Sequence, residues 1–420
     1  MSLLRKASIV TTPTAYENGK ILSVKPNTSV GDFDFTRSSS ATRVNSQGLI
    51  EDITSNLPRI DYTGGDAHWL FEPQSTQTAT YSNDFTQGDI FVASSDPVLQ
   101  KIVLTSQQAT SPDGTNNAWK FVDNNDGLSS VTGFNYFGTR VIANNYNTIS
   151  YFVKKQGSNN FVYIATSGFD AGGNGVTWFD IQNGTLGNVS GNHTANIENY
   201  GNGWYRISIT IQTVTDVQGA FNLRLATSNG VGNILRDGTN GIYFFGVQAE
   251  SDASRQFMTS YIPTNGEANG VTRIKDAATG AGSSDLINST EGVLYAEIAK
   301  LDVTSLEGAI KLSKDTNNEI RLNLAPNNRI NVFVIVGGVN QVYIDNSTFN
   351  LENYNKIAIK YKLNDYALFI NGNKVSTDTN ALVPANMSEL KFNDFFGKTK
   401  CVAVFKEALT DAELTCLTTI

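Results

Sequence analysis

Two neighbouring stretches constrain the fold more than any others. Residues 177–188 read Thr-Trp-Phe-Asp-Ile-Gln-Asn-Gly-Thr-Leu-Gly-Asn, and residues 200–210 read Tyr-Gly-Asn-Gly-Trp-Tyr-Arg-Ile-Ser-Ile-Thr. Each is a short run of alternating side chains bounded by a Gly/Asn turn. No helical period intervenes. This pattern specifies antiparallel sheet closed by tight turns and polar loops.

The composition agrees. Only 17% of the 420 residues are charged, below the usual quarter or so. Asn, Thr, Ser and Gly replace the missing charge, and roughly one residue in nine is Asn. These types favour turns and strand surfaces rather than exposed helix faces. Hydrophobic residues make up 40%, enough for two or three domains with proper cores.

The net charge of −8 and the absence of long Lys/Arg runs argue against a nucleic-acid surface, which needs a basic stripe. No apolar run is long enough to span a membrane. The start, Met-Ser-Leu-Leu-Arg-Lys, has no apolar signal core, so synthesis in a cytoplasm without Sec-type export is expected. Cys401 and Cys416 are then expected to be free thiols.

The chain divides by texture. Residues 1–78 have short apolar touches (Leu22, Val24, Val30, Phe33, Phe35) separated by polar residues. This segment is expected to be extended and ordered by packing against a neighbour, as an attachment and oligomerisation region. Residues 79–264 show strand candidates every 10–20 residues with turn-rich separators, which suits a two-sheet jelly roll. Residues 265–290, rich in Ala, Gly and Ser, read as a linker. Residues 291–420 begin a second set of strands. Asn371-Gly372 marks the clearest hairpin, and Thr410 with Glu413 forms a capping box before a short helix at 411–417. The expected class is mostly β: two antiparallel β-sandwich (jelly-roll) domains preceded by an extended N-terminal region.

Several strings carry a family resemblance. They are residues 34–44 (Asp-Phe-Thr-Arg-Ser-Ser-Ser-Ala-Thr-Arg-Val), 48–50 (Gly-Leu-Ile), 56–62 (Asn-Leu-Pro-Arg-Ile-Asp-Tyr), 70–76 (Leu-Phe-Glu-Pro-Gln-Ser-Thr) and 81–85 (Tyr-Ser-Asn-Asp-Phe). Further along come 111–115 (Ser-Pro-Asp-Gly-Thr), 201–206 (Gly-Asn-Gly-Trp-Tyr-Arg), 246–250 (Gly-Val-Gln-Ala-Glu) and 260–264 (Ser-Tyr-Ile-Pro-Thr). In wording and order the chain resembles virion proteins of tailed bacteriophages, of the tail-fibre and head-fibre type with carbohydrate-binding-module-like domains. Residues 366–375 and 402–414 resemble a concanavalin-A-like (laminin-G-type) jelly roll. The resemblance implies a structural fibre or appendage subunit located in the virion. Its implied partners are itself as a homotrimer, other virion proteins and host-surface glycan, with no nucleic acid and no membrane insertion. A capsid-decorating or connector protein is the alternative, and a glycan depolymerase is a third reading.

Trp178 heads the candidate sites. In an alternating strand, Trp178 and Asp180 share the face opposite Phe179 and Ile181. An aromatic ring beside a carboxylate suits sugar binding, since the ring stacks on C–H faces and the acid accepts from hydroxyls. A Trp at an interface or under a loop is the alternative. Tyr136 and Phe137 are further carbohydrate-binding candidates, and His68-Trp69 is another aromatic pair. Trp204 is expected to pack beneath a loop, with Arg206 held by a carboxylate. No catalytic residues are assigned: the two histidines are far apart, no Gly-x-Ser-x-Gly elbow occurs, and no Glu-x-Asp-x-Glu string of the kind in concanavalin-like glucanases is present, which leaves open a pair contributed from separate strands. No cofactor or metal is assigned, although residues 123–127 (Asp-Asn-Asn-Asp-Gly) have the oxygen-rich character of a structural Ca²⁺ loop without its full spacing.

Overall fold

The computed structural model describes residues 3–87, 102–136, 142–170, 172–215 and 219–420. Strands dominate, every ladder among the described residues is antiparallel, and the sheets pack as two sandwiches. Residues 102–252 supply the first. Its six-stranded sheet runs in the order Ile102–Ala109, Ala118–Asp123, Asn240–Asp252, Tyr146–Gly157, Trp204–Gln212, Thr194–Asn199. The facing five-stranded sheet runs Gly133–Tyr136, Ala220–Ala226, Phe161–Ser167, Gly175–Asp180, Thr185–Leu186. The alternate residues Ile207, Ile209 and Ile211 of one sheet meet Val162, Ile164 and Phe179 of the other in a single core, as the period of two requires.

The second sandwich draws on both ends of the chain. Its eight-stranded sheet contains Glu291–Lys300, Asn355–Lys362 and Gly397–Phe405 at the centre. Ile9–Thr11 and His68–Phe71 both pair with Gly397–Phe405. In the facing nine-stranded sheet, Ala277–Ala281 lies between Phe33–Thr36 and Glu389–Asn393. The first residues are therefore ordered against their own chain's C-terminal half, where Phe33 and Phe35 are buried in the same core as Ile298 and Val404. Likewise, residues 277–281, inside the stretch read as a linker, form an interior strand. Their small side chains fit there because Ala278 and Ala281 are fully covered.

Local chemistry closes the ends. Asn371 and Gly372 both adopt positive φ (49° and 81°) between Tyr366–Ile370 and Asn373–Asp378, the backbone a two-residue type I′ hairpin demands. The helix Asp411–Thr418 begins with the reciprocal Thr410/Glu413 capping box. Cys401 is buried and Cys416 exposed, both as free thiols.

The first sandwich is inserted into the second through a neck. Ser75–Gln77 leads out and Val271–Arg273 leads back, paired with each other. Beside the neck sits a closed cluster of charges. Asp276 accepts from Arg37 Nη1 (3.0 Å), from Arg59 Nη2 and from the Glu72 amide (2.8 Å). Glu72 accepts from Arg59 Nη1 (2.6 Å), the Ser260 amide (2.7 Å) and Ser260 Oγ (2.6 Å), and Arg273 Nη1 stands 3.5 Å away. None of these five charged side chains is more than 3% exposed. Burial raises the Glu72 carboxyl, but the Arg273 and Arg59 charges and the Ser260 bonds outweigh it, so Glu72 lies well below the ordinary carboxylate value.

Breaking a buried pair strands a charge and costs about 3–5 kcal/mol. Arg59→Met is expected to lower unfolding stability by that amount in urea titration; a loss below about 1 kcal/mol would show that the cluster is not cooperative. The Glu72 contribution is complete above its free value of 4.5 and is lost as pH falls through and below that point. Acid should therefore narrow the gap between wild type and Glu72→Gln.

Candidate functional site

The outer face of the five-stranded sheet carries Trp178, the leading candidate. Phe179 points into the core and is fully buried, which turns Trp178 outward. In register, Trp178 lies opposite Tyr163, and Tyr163 opposite Arg224. The three make one row across three strands. The Trp178 and Tyr163 rings stack, with centroids 5.1 Å apart and planes at 26°. Tyr163 is 5% exposed, whereas Trp178 and Arg224 are half-buried. Burial raises the Tyr163 phenol and lowers the Arg224 guanidinium from their ordinary values. Arg224 Nη2 donates to Asn222 Oδ1 (3.2 Å). The row is thus a rigid aromatic platform with a cation at one end.

Two loops frame it. The Trp178 amide donates to the Asn188 carbonyl (2.9 Å), and the Gly187 amide donates back to the Trp178 carbonyl (2.9 Å). A Cβ on Gly187 would lie 2.6 Å from Asn229 Oδ1 and 3.0 Å from Trp178 Cβ, so only glycine allows this approach. Asn188 and Asn229 bond each other twice, by Asn188 N–H to Asn229 Oδ1 (2.8 Å) and Asn229 Nδ2 to Asn188 Oδ1 (3.0 Å). His193 anchors the same loop from the core side, held between Thr177 Oγ1 (2.8 Å) and Thr166 Oγ1 (2.9 Å).

The other candidates fall as follows. Asp180 is not a free acceptor beside Trp178. It closes its own turn, taking the amides of Gln182 and Asn183 (3.0 Å each) and Asn183 Nδ2 (2.8 Å). The polar partner of the aromatic row is Arg224, from a strand far away in sequence. Tyr136 ends the strand Gly133–Tyr136 opposite Phe221; Phe137 lies outside the described residues. His68 and Trp69 are buried, with Trp69 edge-on to Tyr16 at 6.1 Å. Trp204 does pack beneath a loop, donating Nε1–H to the Thr110 carbonyl (3.0 Å). Arg206 is held by the Thr259 carbonyl (2.8 Å), Ser150 Oγ (3.0 Å) and the Phe152 ring (5.0 Å), rather than by a carboxylate. In the 123–127 loop, Asp123 accepts from the amides of Asn125, Gly238 and Asn240, and Asp126 pairs with Arg236. Protein groups therefore occupy the oxygens that would face an ion.

Sequence reasoning did not find a cleft of about 420 Å³ between the sandwiches, lined by Glu198, Tyr200, Lys300, Asp302, Glu352 and Lys398 among others. Burial pushes the Glu198 carboxyl up, and Arg206 and Lys398 only partly offset it. Asp61, the other carboxylate acting on it, is tied to the amides of Val44 and Thr63 (2.8 Å each) and to His68. No string could flag this cleft, because its walls come from opposite sides of the insertion.

No family model matches the chain, and no curated protein matches it. Among solved structures the likenesses are weak. Domain 4 of AbnA, a GH43 extracellular arabinanase from Geobacillus stearothermophilus in complex with arabinotriose, is 14% identical, over 34% of this chain and 73% of that one, with a TM-score of 0.30. The Ruminococcus gnavus IT-sialidase CBM40 bound to α2,3-sialyllactose is 16% identical, over 34% and 88%, with a TM-score of 0.29. Mouse laminin α1 domains LG4-5 are 9% identical, over 81% and 92%, with a TM-score of 0.22. At such scores the likeness says nothing about this chain's ligand.

His193 reports on the loop over Trp178. Burial lowers its ring from 6.5 to about 4. The folded ring stays neutral between those values while an unfolded one is charged, so stability falls as pH drops from 6.5 towards 4 and then levels. NMR titration of the His193 ring should show no protonation until near the lower value. A midpoint near the free value would mean that the Thr166–His193–Thr177 bridge is open in solution.

Proposed function

We propose that the chain is a glycan-binding appendage subunit, acting by adhesion rather than turnover. The observation that carries this is the row Trp178–Tyr163–Arg224: a half-buried indole stacked on the buried Tyr163 ring and fixed on a rigid sheet beside a cation. Such a surface takes the C–H face of a pyranose on the indole while neighbouring donors meet its hydroxyls. The preorganisation matters, since no side chain must be ordered on binding.

The signature strings support a tailed-phage fibre, of head or tail, as the setting. Several copies on one particle would convert weak single sites into firm attachment. The trimer now rests on that resemblance alone, because the N-terminal aromatics are buried within their own chain.

Isolated protein is expected to bind host cells or purified capsule, and Trp178→Ala to weaken glycan affinity about tenfold with folding unchanged. Binding that survives Trp178→Ala intact would remove this platform from the account. Release of reducing ends from capsule would replace adhesion by depolymerisation. Binding only to other virion proteins would favour the decorating or connector role.

A further inference from the structure

We infer that the outer face of the nine-stranded sheet is a second glycan surface, taking an uncharged sugar chain laid across strands. The inference rests on the reading of the protein as a glycan binder, and it concerns the other sandwich. Strand register places Lys311 opposite Arg321, Arg321 opposite Phe333, and Phe333 opposite Tyr343. A parallel row sets Asn323 opposite Asn331 and Asn331 opposite Asp345. Four strands at the usual spacing span about 14 Å, close to the length of three pyranose units.

The aromatic end of this face is open and held in place. Tyr343 is 51% exposed, and its ring lies 5.1 Å from that of Phe333 at 44°. Arg321 lies over the Phe333 ring at 5.5 Å, and Arg329 Nη2 donates to the Tyr343 hydroxyl (3.2 Å). Beside the rings, Asn331 Nδ2 donates to Asp345 Oδ1 (2.8 Å) and Asn323 Nδ2 to Glu307 Oε1 (3.0 Å). Asn323 and Asn331 are only 5% and 4% exposed. Amides so covered on a sheet's outer face are fixed in orientation before any ligand arrives.

Charge balance selects the ligand. Four cations on the face meet four acids: Lys311 and Arg321 share Glu319 with Glu307 close by on Asn323, Arg329 pairs with Asp345, and Lys391 pairs with Glu389 (2.7 Å). No charge is left over for a polyanion or an acidic sugar. Two rings flanked by amides and internally neutralised pairs complement a neutral polyhydroxylated chain.

The test uses the full chain, with Trp178→Ala, Tyr343→Ala and the double variant. Each is titrated calorimetrically with mannohexaose, cellohexaose and xylohexaose, and with hexagalacturonate as the charged control. Tyr343 is half-exposed, so truncation leaves the core filled, and thermal melts check this. Wild type should bind at least one neutral hexasaccharide at two sites per chain. Each single variant should keep one site, and the double variant should lose both. At the Tyr343 site the loss should be about tenfold or more, and Tyr343→Phe should retain binding. Tyr343→Ala with wild-type stoichiometry overturns the second surface while leaving the Trp178 platform standing. So does a preference for hexagalacturonate, or a dimer that Tyr343→Ala dissolves. Wild type that binds none of the sugars overturns this inference; the Trp178 reading then stands or falls separately on binding to cells and capsule.

Discussion

Two carboxylates hold this molecule together. Asp276 and Glu72 gather three arginines at the neck, and every oxygen of the pair faces a guanidinium, an amide or a hydroxyl. Neither acid could be buried alone, because desolvation would neutralise it or expel it. Together the five groups tie the segment before the insertion, the segment after it, and Ser260 of the inserted sandwich into one unit. The neighbouring Glu250 does the same for Thr259 and Arg255. The relative placement of the two sandwiches rests on these bonds together with an apolar cluster in which Ile50 meets Ala118, Phe152, Trp204, Phe245 and Tyr261.

This gives the family-like strings a physical meaning. Arg37, Arg59 and Glu72 fall within three of them, and Glu250 and Ser260 within two more. Tyr261 donates to Ser82 Oγ (2.7 Å), and Thr42 donates to the Tyr261 carbonyl, bringing still more of those strings to the same place. They encode a junction rather than a reactive centre. That is why their ordered recurrence speaks for architecture and says little of chemistry.

Much of the fold was legible in the sequence, because it is written in local terms. Alternation at Trp204–Gln212, positive φ at Asn371-Gly372 and the Thr410/Glu413 cap each depend on a few adjacent residues. Long-range pairing was not legible. Nothing within residues 1–78 shows that Ile9–Thr11 will lie beside Val402–Val404, since an edge ladder is satisfied by backbone alone. The site divides in the same way. The outward turn of Trp178 follows from period two, but its companions Tyr163 and Arg224 come from other strands. Asp180 shares its face and yet serves the turn, because Asp beside an Asn-Gly corner finds amide donors closer than any ligand.

The neck has a further meaning. The chain leaves one sandwich and re-enters it on adjacent, mutually paired strands, Ser75–Gln77 and Val271–Arg273. The host's sheets are complete without anything the guest contributes to their ladders. A different module with closely spaced ends, and with groups that replace Ser260 and Tyr261 at the junction, could be spliced between those strands while the host kept its shape. Recognition could then diversify in the guest as a replaceable cassette, with the mounting unchanged.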